Sequence, residues 1–131
     1  MLRETVVKSD WVTGRSILVV DDDPLVVKAM RSLLQAEGFK TVGCDTGRDA
    51  MKLAGENISA AVVDIHLPDI SGLSLSRQLR DVLKPDVPII ILSGDNSIET
   101  LRALPDAGAT YFFAKPVNSA LLIGKLKEWT V

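Results

Sequence analysis

The sequence predicts a doubly wound α/β sandwich, and three observations predict it. Short aliphatic runs recur along the chain, each too short to be a helix. Amphipathic stretches with helical spacing separate them. Strands alternating with helices imply a parallel sheet covered on both faces and linked by right-handed crossovers. Polar residues also follow the runs directly, at the carboxyl ends where such a fold gathers its function.

The elements follow in order. Residues 1–15 are polar and aperiodic, and read as a leader: a linker from an upstream domain or an extraneous remnant. Residues 16–131 form the domain. Ser16 to Val20 is a β-branched strand. Asp23 and Pro24 make a helix start, an N-cap oxygen followed by proline at the first helical position. Leu25, Val26, Ala29, Met30, Leu33 and Leu34 have helical spacing, and Gly38 suits the C-terminal cap. Lys40 to Gly43 is the second strand, and Thr46 or Gly47 opens a helix to about Gly55. Ala60 to Val63 is the third strand, ended by Asp64. Gly72 to Leu83 is a helix, and Pro88 to Leu92 the most hydrophobic strand. A weak helix spans about Ile98 to Leu104, Thr110 to Phe113 is the fifth strand, and Asn118 caps a last helix through Trp129. Cys44, Met30, Met51 and Trp129 are expected in packing roles.

With 131 residues, 47% hydrophobic and 24% charged, the composition is that of one globular domain. A net charge of -2 gives no basic footprint, so direct nucleic-acid binding is not expected. The single cysteine excludes an internal disulfide and fits a cytoplasmic setting. No apolar run reaches the roughly 18 residues of a membrane span. No G-x-G-x-x-G or G-K-[ST] loop follows a strand, which sets aside a nucleotide-binding domain.

Applied to this chain, the strand-end rule brings Asp21, Asp22, Asp64, Ser93 and Lys115 to one sheet edge. Three carboxylates in a small volume repel, and a divalent cation relieves that better than protonation does. Carboxylates with retained waters suit Mg²⁺, whereas one histidine and one cysteine do not make a zinc site. A cation beside an aspartate, with a lysine and a hydroxyl opposite, is equipped for phosphoryl transfer. Asp64 stands alone at the end of the central strand, which makes it the candidate acceptor. Each feature alone has a plainer reading: helix caps for the aspartates, a turn for Ser93–Gly94, and a solvated surface lysine for Lys115. Their joint placement at four strand ends is the signal.

These segments resemble the receiver domains of two-component response regulators over about residues 15–130. VVDDDP is similar to the family's acidic pair. VVDIHLPDISG is similar to the phosphoacceptor segment, with Asp64, Pro68 and Gly72 in place, and IIILSG and GATYFFAKPV match the two segments that follow. The resemblance implies a flavodoxin-like fold with strand order 2-1-3-4-5. It implies a signalling module rather than an enzyme, catalysing only its own phosphorylation and dephosphorylation. Asp64 would take a phosphoryl group from a histidine kinase or phosphotransfer protein in a phosphorelay. Asp22 would bind Mg²⁺ directly, Asp21 mainly through water, and the backbone carbonyl of His66 would complete the shell. Ser93 and Lys115 would bind the phosphoryl group, and Lys115–Pro116 would be cis.

Ser93 and Phe112 would form the switch, acting on the face made by the fourth helix, fifth strand and fifth helix. Phe112 replaces the commoner tyrosine. Tyr111 stands where many relatives carry an acidic or small residue, which removes a salt bridge from the homodimer some regulators form through that face. His66 and Asp95 occupy positions that often tune phosphoryl lifetime; His66 stands either near the attacking-water path or simply in solvent. The last helix runs to the chain end, so the output is expected from a separate downstream protein or a tethered domain. The chain stands alone or is part of a hybrid kinase or multidomain regulator. A phosphatase of the haloacid-dehalogenase type is the rival: Asp21, Asp22 and Asp23 meet the first part of its D-x-D-x-T/V motif, but Leu25 fails the last position and a cap domain has no room. A degenerate receiver acting only by binding is the third reading, and the filled key positions count against it.

Overall fold

A computed structural model describes residues 15–130. The expected leader, Trp11 included, lies outside the described residues except for Arg15. The elements are β1 (Ser16–Val20), α1 (Pro24–Ala36), β2 (Thr41–Cys44), α2 (Gly47–Leu53), β3 (Ile58–Asp64), α3 (Gly72–Val82), β4 (Ile89–Ser93), α4 (Ile98–Ala103), β5 (Tyr111–Ala114) and α5 (Ser119–Thr130). All strand pairs are parallel, and the order is β2-β1-β3-β4-β5. This is the flavodoxin-like order expected from the sequence.

Strand alternation builds two cores, one on each sheet face. Leu18, Val20, Ala61, Val63, Ile89 and Ile91 face Ala50 of α2 and Leu75 and Leu79 of α3. Ile17, Val19, Ala60, Val62, Ile90 and Leu92 face Val27 and Leu34 of α1 and Leu122 and Leu126 of α5. Each fully buried aliphatic side chain contributes about 1.5–3 kcal/mol. Cys44, Met30, Met51 and Trp129 pack half-buried against these cores, as expected.

The caps are local. Asp23 Oδ1 accepts from Leu25 N at 2.9 Å with Pro24 in the first turn, and Asn118 Oδ1 accepts from Leu121 N at 3.0 Å. Thr46 Oγ1 accepts from Asp49 N at 3.1 Å, so Thr46 is the cap of α2 and Gly47 its first residue. Gly38, at φ +95°, turns the chain out of α1.

Two expectations are corrected. β3 begins at Ile58, two residues earlier than the apolar run suggested. Ser16 pairs with Ile58 across an irregularity in register, and Ser16 N donates to Asn57 O at 2.6 Å, which draws the polar stretch into the central strand. In α1 only part of the apolar set, Met30 and Leu34, meets the sheet, joined there by Val27. Val27 and Leu34 are buried, whereas Leu25 is 76% and Leu33 45% exposed. Proline and its cap set where the helix starts, and that phase turns Val27, Met30 and Leu34 towards the sheet. No helix among the described residues is long and apolar enough to cross a membrane.

Candidate phosphoacceptor site

The strand order reverses between β1 and β3, which opens a crevice at their carboxyl ends. Asp21 follows β1 directly and is 3% exposed; Asp64 is the last residue of β3 and 2% exposed. Asp22, next to Asp21, is exposed. One carboxylate oxygen from each of the three lies within 4.8 Å of the others. Asp23 turns away to cap α1, so the acidic run divides into two site residues and one structural cap.

Lys115 follows β5 and reaches across the edge. Its ammonium hydrogen-bonds Asp21 Oδ2 at 3.4 Å and lies 3.1 Å from Asp64 Oδ1. The second contact is ionic without hydrogen-bond geometry, since the buried Asp64 Oδ1 has no hydrogen-bond donor among the described residues. Two buried carboxylates thus share one ammonium, with the third acid, Asp22, close beside them. Burial raises the pKa of Asp21; the Asp23 N–H opposes this, and the Asp64 charge adds to it. Burial pulls the Lys115 ammonium down, but Asp64 and Asp21 pull it up by more, so it stays protonated.

Ser93 ends β4, fully buried, and its Oγ accepts from Asp95 N at 2.9 Å. Lys115 N donates to Ser93 O at 2.9 Å, which ties the hydroxyl's strand to the lysine's. The Lys115–Pro116 peptide bond is cis. Asp95 in turn accepts from Ser97 N at 2.9 Å and from Thr100 Oγ1 at 3.0 Å, binding the loop after Ser93 to the start of α4. These hydrogen bonds hold the Asp95 carboxyl below its usual range, with a smaller contribution from His66 nearby. His66 is exposed, and its backbone forms an isolated bridge with Ser71. Phe112 is half-buried on the core face it shares with Ile91, and Ser93 lies two residues further along that face. A concavity of about 390 Å³ opens beside it, lined by Leu101, Leu104, Pro105 and Tyr111. Tyr111 stacks near Phe113 and Trp129 at 5.0 and 5.4 Å, with Lys125 Nζ 5.6 Å from its ring centre.

The donor set fits Mg²⁺. All three side chains offer hard oxygens, one of them a buried oxygen without a hydrogen-bond donor among the described residues.

Sequence reasoning missed the tertiary grips of Asp69 and Arg80. Asp69 Oδ1 and Oδ2 accept from Gly47 N and Arg48 N, each at 2.9 Å. An acid in the loop between a strand and the next helix cap is the one signal that could have flagged the first of these.

Comparison with known proteins agrees with this geometry. The family model for the response regulator receiver domain matches residues 17–127. A CAI-1 autoinducer sensor kinase/phosphatase of Vibrio cholerae is 32% identical over 118 residues, which is 88% of this chain and 17% of that protein. The transcriptional regulatory protein PrrA of Mycobacterium tuberculosis is 35% identical over 117 residues, 88% of this chain and 50% of that one. The chain therefore spans half or less of the length of these relatives. The crystal structure of a CheY-like receiver domain protein from Methanospirillum hungatei superposes with a TM-score of 0.80 at 32% identity, covering 87% of this chain and 91% of that one.

Proposed function

The chain belongs to the response regulator receiver domain family, and on that premise we propose that Asp64 is its phosphoacceptor. The observation that carries the reading is the buried Asp64 carboxylate, with one oxygen ion-paired to Lys115 but lacking a hydrogen-bond donor among the described residues, beside two further acids. The donor is a phosphohistidine on a histidine kinase or phosphotransfer protein. An Asp64 oxygen attacks phosphorus, the O–P bond forms as the N–P bond breaks, and the electron pair leaves with the imidazole nitrogen. A carboxylate oxygen attacks through a lone pair with no proton to lose, so the step requires no general base.

Asp22 directly, Asp21 largely through water, Asp64 and the His66 carbonyl would hold Mg²⁺. When bound, the ion neutralises charge on the phosphoryl oxygens. Lys115 neutralises the same charge from the opposite side and keeps its proton throughout. Ser93 gives up the Asp95 N–H and turns its hydroxyl to donate to the phosphoryl group. Phe112 follows into the vacated space, which alters the surface of α4, β5 and α5. That change is a population shift driven by a new local charge. The module passes the signal to a downstream protein or tethered domain and catalyses only its own phosphorylation and dephosphorylation.

The test is incubation with Mg²⁺ and a small phosphodonor, read by intact mass. The wild type gains one phosphoryl group and Asp64→Asn gains none. Continued turnover of phosphate esters, many per chain, would instead support the phosphatase reading.

A further inference from the structure

The loop that follows Asp64 is fastened at its base and at its tip. At the base, Gly72 N donates to Ile65 O at 2.7 Å, and His66 bridges Ser71. A Cβ on Gly72 would collide with the Asp64 carbonyl oxygen, so the chain returns in contact with the acceptor's own backbone. At the tip, the Asp69 carboxylate reaches out of the loop to the start of α2. Its two oxygens take the Gly47 and Arg48 N–H groups at 2.9 Å each, and Oδ1 also accepts from Ile70 N at 3.1 Å. Ile70 packs on Gly47 so closely that a Cβ there would lie 2.7 Å from Ile70 Cγ1.

The target of this grip matters. Gly47 and Arg48 open α2, which follows β2, the strand hydrogen-bonded to β1. Asp21 N itself donates to Cys44 O, at 3.3 Å, at the end of β2. Asp69 therefore links the loop carrying His66 to the corner of the fold that carries Asp21 and Asp22. The cap of α2 itself is Thr46, which satisfies a different amide, that of Asp49. Helix capping and loop anchoring are thus done by two separate side chains and can be separated experimentally.

We propose that Asp69 is a positioning residue for the metal site: its carboxylate pins the loop after Asp64 to the amino end of α2 and so fixes the His66 backbone relative to Asp21 and Asp22. The proposal rests on the reading of Asp64 as a Mg²⁺-assisted phosphoacceptor. Groups that orient metal ligands without touching the ion typically change metal affinity by about 10- to 100-fold. Asp69 acts through a backbone loop, so the lower end of that range is expected.

The experiment compares the wild type with Asp69→Ala, Asp69→Asn and Thr46→Ala. Mg²⁺ affinity is measured by calorimetric titration, amide exchange by NMR, and phosphoryl uptake at several Mg²⁺ concentrations. Asp69→Ala should bind Mg²⁺ about tenfold more weakly and exchange the Gly47 and Arg48 amides faster without metal. Its phosphoryl uptake should return close to the wild-type rate at saturating Mg²⁺. Asp69→Asn keeps one acceptor and should fall between. Thr46→Ala loosens the same helix end and should leave Mg²⁺ affinity unchanged. Wild-type affinity in Asp69→Ala, or an equal loss in Thr46→Ala, would overturn the proposal. A wild type that binds Mg²⁺ but takes up no phosphoryl group would overturn the underlying phosphoacceptor reading instead.

Discussion

The two edges of the sheet solve the problem of partly buried charge in opposite ways. At the amino edge, the guanidinium of Arg80, on α3, meets four carbonyls. Nη1 donates to Val87 O at 2.8 Å, Lys84 O at 3.1 Å and Pro85 O at 3.4 Å, while Nε and Nη2 donate to Gly108 O at 3.2 and 2.9 Å. Every guanidinium nitrogen donates to a backbone carbonyl, and the cluster carries loop onto loop. At the carboxyl edge, Asp21 and Asp64 share one ammonium with Asp22 beside them, and a buried oxygen lacks a hydrogen-bond donor among the described residues. Charge satisfied within the chain does structural work; charge left unsatisfied awaits something from outside.

Substitutions should therefore separate the two edges. The largest expected effect is that of Arg80→Met, which strips the guanidinium donors from these carbonyls, although Lys84 O keeps the Val87 N–H. It should cost about 3 kcal/mol in chemical denaturation while Mg²⁺ affinity stays at the wild-type value. Equal losses at both edges would break the contrast. Asp21→Asn should do the reverse. Its side-chain oxygen can still accept from Asp23 N, and one repelling charge is gone. Stability of the metal-free protein should rise by about 1 kcal/mol, and Mg²⁺ should bind at least tenfold more weakly, by calorimetry. A destabilised Asp21→Asn would mean that the acids are already satisfied without a metal.

The smallest effect is a pH dependence. Asp69 is exposed, and its carboxyl is held below the usual range first by the Gly47 N–H and then by that of Arg48. A depressed carboxylate adds stability above its ordinary value of about 4 and loses it as pH falls through the folded value. The difference in melting temperature between wild type and Asp69→Ala should stay flat from neutral pH to about pH 4 and close below it. A difference that shrinks already between pH 7 and 5 would mean that Asp69 is not the titrating group.

The contrast also explains what could be read in advance. Strand ends and local caps are short-range: VVDDDP contains both the end of β1 and the Asp23 cap of α1. Strand alternation then distributes Asp21, Asp64, Ser93 and Lys115 along one edge without knowledge of any side-chain contact. The two grips were not legible because they close over long distances in sequence, 22 residues from Asp69 to Gly47 and 28 from Arg80 to Gly108. The buried face of α1 was hidden for a different reason. Leu25, Val26 and Leu33 are as apolar as Val27 and Leu34, so spacing alone could not say which set meets the sheet. The early start of β3 was masked by the polar Ser59, inside the strand, and Asn57, just before it, whose carbonyl accepts from Ser16 N.

The most direct measurement is the position of the acyl phosphate. The protein is phosphorylated with a small phosphodonor and Mg²⁺, reduced with borohydride and mapped by peptide mass spectrometry. Reduction converts a phosphorylated aspartate to homoserine. The account predicts homoserine at position 64 alone, and none when Mg²⁺ is withheld. Homoserine at position 21, 22 or 23 would contradict it, because the nucleophile would then follow β1, as in the phosphatase reading.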